Sequence, residues 1–339
     1  MPYHSLQISR IVQETPDARS FVLTVPADLS DRFTYQAGQF LTFRVAHAEG
    51  AAARCYSLSS TPGDGEIKVT VKRVVGGRGS NWFHDALKQG DAIEVMPPAG
   101  RFVLAAGTGP LLFFAGGSGI TPIMSLIKSV LGKTRRPMRL FYANRDRASI
   151  IFDAEFQKLM QAHPGQLEII HHLDAEKGFA SPADVQAALK GFEVGHAYLC
   201  GPGPFMSMVE ATLLQAGMPT SRVMIERFEA SGNPAVPSEP IDDAEIVPAQ
   251  IVIHLEGKVH TVPYHRGQSI LEAARAAGLS PNSACEEGFC ASCAAKRIKG
   301  RVVLANNEIY TKEDLDSGWI LTCQGRCFGP EVEITYDTT

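Results

Sequence analysis

Cys285, Cys290 and Cys293 stand at C-x4-C-x2-C in the stretch S-A-C-E-E-G-F-C-A-S-C, and 29 residues later Cys323 follows in I-L-T-C-Q. At that spacing four thiolates hold the two irons of a [2Fe–2S] cluster, three from one tight loop and a fourth brought in by the fold. Gly288 suits such a loop, because backbone wrapped around a cluster needs positive φ. Small Ala284, Ala291 and Ser292 let main-chain N–H groups approach the sulfurs. Two other chemistries use cysteines in this way. Structural zinc usually takes two C-x2-C knuckles, and here only Cys290 and Cys293 have that spacing. Disulfides suit secreted chains, and nothing marks secretion. Cys327 lies four residues beyond Cys323 and is either an alternative fourth ligand or a spare packed thiol. His254, His260 and His265 would matter for a histidine-ligated cluster, but four cysteines already complete the set.

Three further stretches carry groups that suit a flat, phosphorylated ligand. In Arg54-Cys55-Tyr56-Ser57-Leu58, strand alternation puts Arg54, Tyr56 and Leu58 on one face. A fixed cation there pairs with phosphate, an aromatic face lies against a ring, and Ser57 reaches ring edges. Thr70-Val71-Lys72-Arg73-Val74 is a second strand whose backbone can meet the same ligand. Gly76-Gly77-Arg78-Gly79-Ser80-Asn81 then runs into an apolar helical pattern, so Ser80 and Asn81 mark a helix start with free N–H groups, an anion site. Singly, these stretches also suit a salt-bridged strand, a ladder strand and a capped turn.

Residues 111–115 form a continuous apolar run, as in a strand covered on both faces of a parallel sheet. Gly116-Gly117-Ser118-Gly119-Ile120-Thr121-Pro122 follows and leads into a helical pattern with Pro122 at its first position, a phosphate-binding β–α start or an ordinary βα loop. Strands at 138–143, 167–171 and 196–199 alternate with helices at 152–160 and 183–189. The last of these strands ends in Cys200-Gly201-Pro202. That alternation predicts a doubly wound α/β sheet with its ligand at the carboxyl ends of the strands.

These elements divide the chain. Its 339 residues are enough for two or three domains. Short alternating strands separated by turns, over 1–104, predict an antiparallel β-barrel. The α/β pattern fills 105–232. Residues 230–248 hold Pro234, Pro237, Pro240 and Pro248 without apolar period, which predicts a semi-extended tether, with 233–248 as the linker proper. From 249 to 339 come a hairpin around Glu256-Gly257, a short helix over 269–277, the cysteine loop, and strands at 301–304 and 332–335. A net charge of −4 offers nothing to nucleic acid or an anionic membrane. The most apolar segment, 111–131, is broken by G-G-S-G, T-P and Lys128, against a membrane span. Residues 1–10 lack a basic stretch followed by an apolar core, so no signal peptide is expected, and seven cysteines, four of them at cluster spacing, fit a reducing cytoplasm better than a disulfide framework.

The cysteine loop resembles that of plant-type ferredoxins, many of which carry Gly where this chain has Ala291, and residues 249–339 resemble their β-grasp fold from end to end. That likeness favours Cys323 over Cys327. With 11 acidic and 9 basic residues the segment has net charge −2, so the strongly acidic face of many free ferredoxins is missing. Residues 1–104 resemble the flavin-binding domain of the ferredoxin–NADP reductase superfamily, and 105–232 its pyridine-nucleotide domain. The resemblance implies Arg54, Tyr56, Ser57, Lys72, Gly79 and Ser80 as flavin contacts, and FAD over FMN because the Gly79-Ser80 turn looks like the family's pyrophosphate turn. It implies that Gly117, Ser118, Gly119, Ile120 and Thr121 hold pyrophosphate and nicotinamide. Cys200, with Gly201 and Pro202, would sit where hydride moves to flavin, and Glu226 or Phe228 would approach the flavin ring. At the end of the second α/β strand a carboxylate grips a ribose 2′-OH and arginine accepts a 2′-phosphate. Arg145 and Arg147 point to NADPH over NADH, with Asp146 between them opposing. The domain order is similar to that of oxygenase reductase components, the phenylacetyl-CoA epoxidase and ketosteroid hydroxylase reductases among them. It implies hydride transfer from NAD(P)H to FAD, then single electrons to the cluster and out to a terminal oxygenase. A reductase for another acceptor, such as a hybrid-cluster or desaturase-type protein, and a zinc-stapled nucleotide-binding scaffold are the alternatives.

Overall fold

A computed structural model describes residues 3–47, 50–227, 245–283, 286, 288, 291–307, 310 and 312–337. The chain divides into two compact units, Pro2–Phe228 and Glu229–Thr339. The first unit opens with β1 (His4–Thr15), β2 (Ala18–Thr24), β3 (Phe40–His47), β4 (Gly50–Ser57) and β5 (Ile67–Lys72), then helix α1 (Arg78–Asp85) and β6 (Ala92–Val95). These strands form one antiparallel sheet in the order β4-β3-β6-β1-β2-β5. A bridge between Leu58 and Val69 joins its two ends and closes the barrel. Inside lie Leu6, Phe21, Leu41, Phe43, Leu58, Val69 and Phe83, all essentially inaccessible. Arg54 pairs with Phe43 and Tyr56 with Leu41, so the expected Arg54–Tyr56–Leu58 face is the inner one.

The same unit continues with β7 (Leu111–Gly116), α2 (Ile120–Lys133), β8 (Met138–Asn144), α3 (Asp153–Ala162), β9 (Leu167–Leu173), α4 (Asp174–Lys177), α5 (Pro182–Leu189), β10 (His196–Cys200), α6 (Gly203–Gln215) and β11 (Val223–Glu226). All five strands are parallel, in the order β11-β10-β7-β8-β9. Strand order therefore reverses between β7 and β10, and a ligand crevice is expected outside their carboxyl ends. Apolar β7 is buried along its whole length between two core clusters, one on each face of the sheet. Helix α2 begins at Ile120, so Pro122 is its third residue rather than its first. The position is equally tolerant, since the first four helical N–H groups lack intrahelical partners in any case. Helix α6 goes beyond the sequence pattern, because its start, Gly203-Pro204, reads as a turn; Pro204 in fact occupies the first turn, where proline is welcome.

The second unit contains β12 (Gln250–Leu255), β13 (Lys258–Pro263), α7 (Ile270–Ala276), β14 (Ala294–Leu304), α8 (Lys312–Asp316), β15 (Trp319–Leu321) and β16 (Gly325–Thr335). Its mixed sheet runs β13-β12-β16-β14-β15, with β12 and β16 parallel. The expected hairpin turns through Glu256 and Gly257, both at positive φ, the geometry of a two-residue loop. Ser269 caps α7, accepting from the Glu272 N–H while the Glu272 carboxylate accepts from the Ser269 N–H. Among the described residues no helix is long and apolar enough to cross a membrane.

Candidate electron-transfer site

The barrel brings its three chemical stretches to one place. A Cβ on Gly79 would lie 2.9 Å from the Tyr56 hydroxyl and 2.9 Å from the Arg54 side chain. Gly79 is therefore required where the start of α1 meets β4. The Tyr56 ring packs edge-on against Phe83 of α1 at 4.9 Å, and burial pushes its phenol well above the usual range, so it stays neutral. Gly77, not Ser80, is the residue before α1, which begins at Arg78. Ser80 is the third helical residue, and its hydroxyl folds back to accept from the Val74 N–H at 3.0 Å. The Ser80 side chain thus holds the turn's shape, and the backbone N–H groups of the first turn are what is left for the expected anion. Ser57 is buried at the end of β4.

The α/β part supplies a second cradle at the strand-order reversal. Cβ atoms on Gly116 and Gly201 would fall 2.7 Å from Pro202 and 2.9 Å from the Gly116 nitrogen, and one on Gly119 would meet the Cys200 carbonyl oxygen at 2.1 Å. The G-G-S-G and C-G-P turns thus touch backbone to backbone, and only glycine fits. Thr121 closes the first turn of α2 by donating to the Ser118 carbonyl at 3.1 Å. Cys200 is completely buried, and burial drives its thiol far above the ordinary range, with Glu226 adding to the effect. Its thiol is therefore held in the neutral form. Glu226 lies beside it in the parallel register of β10 and β11. Lys72 connects the two cradles: its ammonium lies 3.7 Å from where a Gly117 Cβ would stand and 3.9 Å from the Asp17 carboxylate. Phe228 lies outside the described residues.

Arg145 and Arg147 are mostly exposed beyond the end of β8. Arg145 pairs with Asp146 at 2.9 Å, and Arg147 lies 3.9 Å from Glu176. Asp146 also accepts from the Ser149 N–H at 2.9 Å, capping the short turn that follows. Its carboxylate is therefore committed to local structure, a use that the sequence alone did not reveal.

In the second unit, Cys293 and Cys323 are buried, with their sulfurs 3.2 Å apart. Their meeting follows from strand register: Ala294 pairs with Leu321, and the fully buried Thr322 donates to the Cys293 carbonyl through both its N–H and its hydroxyl, at 3.2 and 2.9 Å. Around them the loop is held in left-handed backbone: Glu286, Gly288 and Ala291 have φ of 58, 89 and 54°. Gly288 meets the expectation, and a Cβ there would also strike the Asn306 carbonyl at 2.8 Å. Arg275 clamps the loop, donating to both Glu286 oxygens and to Ser283. The buried Ser292 hydroxyl has no hydrogen-bond partner among the described residues, as suits a group facing a cluster sulfur. Two converging thiols and a glycine-dependent loop fit a [2Fe–2S] cluster. Cys285 and Cys290 lie outside the described residues. Cys327 points elsewhere: it is buried in the sheet core, its N–H donates to the Tyr264 hydroxyl, and burial pushes its thiol up to about 12.

Barrel, doubly wound sheet and cysteine unit together define a pyridine-nucleotide-dependent flavin and iron–sulfur oxidoreductase. Family models match in the same order: an oxidoreductase FAD-binding domain over residues 5–104, an oxidoreductase NAD-binding domain over 113–211 and a 2Fe-2S iron-sulfur cluster binding domain over 253–327. The ferredoxin reductase component of 3-ketosteroid-9-alpha-monooxygenase from Rhodococcus rhodochrous is 39% identical over 337 residues, covering 98% of this chain and 96% of that one. A component of the 1,2-phenylacetyl-CoA epoxidase from Escherichia coli is 30% identical over 352 residues, covering 99% of this chain and 98% of that one. The solved structure of phthalate dioxygenase reductase matches with a TM-score of 0.60 at 27% identity, covering 98% of both chains. The chain belongs to the family of flavin and iron–sulfur reductase components of oxygenases.

Proposed function

We propose that the chain carries electrons from NAD(P)H through FAD and a [2Fe–2S] cluster to a terminal oxygenase; the ferredoxin reductase component of a monooxygenase among its relatives supports this reading. The observation that carries the proposal is the meeting of Lys72 with the Gly117 turn, which puts the flavin strand of the barrel against the nucleotide loop. When bound, FAD would accept one hydride, two electrons with a proton, and pass the electrons on singly, as a one-electron cluster requires. The protein's part is to bind, orient and keep water away. Arg54, Lys72 and the first-turn N–H groups at Gly79 and Ser80 are assigned to flavin phosphates, and Tyr56 and Ser57 to the ring. Gly117, Ser118, Gly119, Ile120 and Thr121, with Cys200, Gly201 and Pro202, are assigned to the nucleotide, with Cys200 as a neutral wall beside the transferred hydride. Glu226 is assigned to the flavin's edge. Cys285, Cys290, Cys293 and Cys323 are assigned as cluster ligands.

The domain limits that go with this division of labour fall near residues 104, 232 and 248, and the chain is assigned to the cytoplasm. The nucleotide is assigned as NADPH, on Arg145 and Arg147 together with the engagement of Asp146 in its turn. The test is anaerobic reduction of the purified protein. Flavin and iron–sulfur absorption should both be present and both bleach with NADPH. A colourless protein containing zinc would overturn the proposal.

A further inference from the structure

One face of the largely apolar helix α2 carries polar side chains. Thr121, Ser125 and Lys128 recur at i, i+4 and i+7, so they stack on one side. Thr121 belongs to the nucleotide turn. One turn on, the fully buried Ser125 hydroxyl donates to the carbonyl of Ser60 and accepts from the Gly38 N–H at 3.2 Å. A further turn on, Lys128 reaches Asp64 at 2.6 Å and Glu155 at 2.9 Å. Glu155 in turn lies 3.7 Å from Lys68. One chain of alternating charge thus runs from the barrel through the nucleotide part and back: Asp64 of the barrel, Lys128 of α2, Glu155 of α3 and Lys68 of the barrel. Both barrel anchors are themselves fixed. Asp64 accepts from the Thr61 N–H at 3.0 Å, and the Ser60 hydroxyl meets Tyr35 at 2.8 Å and the Lys68 N–H at 2.9 Å. Gly38 permits the approach, since a Cβ there would stand 3.0 Å from Leu126 of α2 and 1.9 Å from the Phe102 carbonyl.

Ser60 lies three residues beyond Ser57 on the chain that carries Arg54 and Tyr56, and Ser125 lies one helical turn beyond Thr121. We propose that Ser125 and Lys128 are positioning residues for hydride transfer, fixing the nucleotide turn at the start of α2 against the flavin strand. The proposal rests on hydride transfer from nucleotide to flavin as the chain's reaction. Neither side chain touches the reacting atoms; each acts by locking the helix that bears Thr121 to the barrel. Transfer between two bound rings is acutely sensitive to such placement, and an error of about 1 Å costs on the order of 100-fold in rate.

The test is stopped-flow reduction of the flavin under anaerobic, single-turnover conditions, with NADPH and its 4-deuterated form, in wild type, S125A, K128M and K128R. S125A and K128M should keep flavin and bind nucleotide within about threefold of wild type. Their limiting reduction rate should fall at least tenfold, and the long-wavelength charge-transfer band of the nucleotide complex should weaken. K128R should recover most of the rate, because it restores the ion pairs. If K128M fails to retain flavin, S125A decides, since it removes a single oxygen. S125A with a wild-type limiting rate and a lowered melting temperature would make the seam mere structural glue and overturn the proposal. A wild type that is never reduced by NAD(P)H would instead defeat the function on which the proposal stands.

Discussion

Cys293 and Cys323 hold their sulfurs 3.2 Å apart although 29 residues separate them, because the pairing of Ala294 with Leu321 and the two Thr322 bonds to the Cys293 carbonyl leave them no other place. That distance is far beyond a sulfur–sulfur bond of about 2.05 Å. Changing either to Ser should remove nearly all cluster iron and its visible absorption while flavin content stays at wild-type level. Cys285→Ser and Cys290→Ser should behave alike. Cys327→Ala should keep the cluster and lose only about 1–2 kcal/mol of stability from the small void. Iron assay beside flavin absorbance on the five variants checks this. A clusterless C327A with an intact C323S would reverse the assignment.

Ala291 occupies a left-handed backbone position that costs a Cβ-bearing residue about 1–2 kcal/mol. Gly there should relieve the cost. A291G should therefore slow cluster loss to a chelator several-fold at fixed temperature, followed by the decay of cluster absorbance. A faster loss would mean that the methyl group packs usefully enough to outweigh the strain.

The contact between the G-G-S-G and C-G-P turns leaves no room for a methyl group at Gly119, where it would sit 2.1 Å from the Cys200 carbonyl. G119A should bind FAD normally yet lose at least 100-fold in NADPH-driven flavin reduction, while dithionite still reduces both centres. Equal loss of flavin would show that the damage spreads beyond the nucleotide turn.

Arg145 and Arg147 provide the nucleotide test. NADPH should give the higher kcat/KM, and the R145Q/R147Q double variant should lower it about tenfold for NADPH with little change for NADH. A wild type that prefers NADH would show that exposed arginines paired with Asp146 and Glu176 do not select the phosphate.

His84 gives the barrel a pH dependence. It is buried, its Nε2–H donates to the Val71 carbonyl at 2.9 Å, and burial lowers its pKa from the usual value. The unfolded chain therefore binds more protons than the folded one just below pH of about 6.5, and stability falls as pH drops through that value toward the folded pKa. Melting temperatures between pH 7.5 and 5.5 should decline, and H84Q should flatten the slope.

Much of this was legible in the sequence because local rules decide it. The cysteine spacing, the positive φ of Gly288, the capped helix after Ser269 and the Glu256-Gly257 turn all follow from short-range chemistry. What stayed hidden depends on tertiary contact. Lys128 reads along the chain only as a charge that interrupts an apolar run, and its partners Asp64 and Glu155 lie far away in sequence. Asp146 reads along the chain only as a ribose-binding candidate, and its bond from the Ser149 N–H shows only in the folded turn. Ser80 reads as a helix cap, but the preceding glycines let the helix start earlier and turn its hydroxyl inward. The signal for the Lys128 seam was present as the 121/125/128 stripe, but nothing local says what that stripe faces.

The order of electron flow is tested most directly by mixing the intact protein with NADPH in an anaerobic stopped-flow spectrometer and following the flavin and iron–sulfur bands separately. Flavin absorbance should fall first, with a deuterium isotope effect, and cluster absorbance should fall afterwards at a rate without one. Protein stripped of FAD but retaining its cluster should show no bleaching by NADPH. Cluster bleaching at the full rate in that stripped protein would contradict the account.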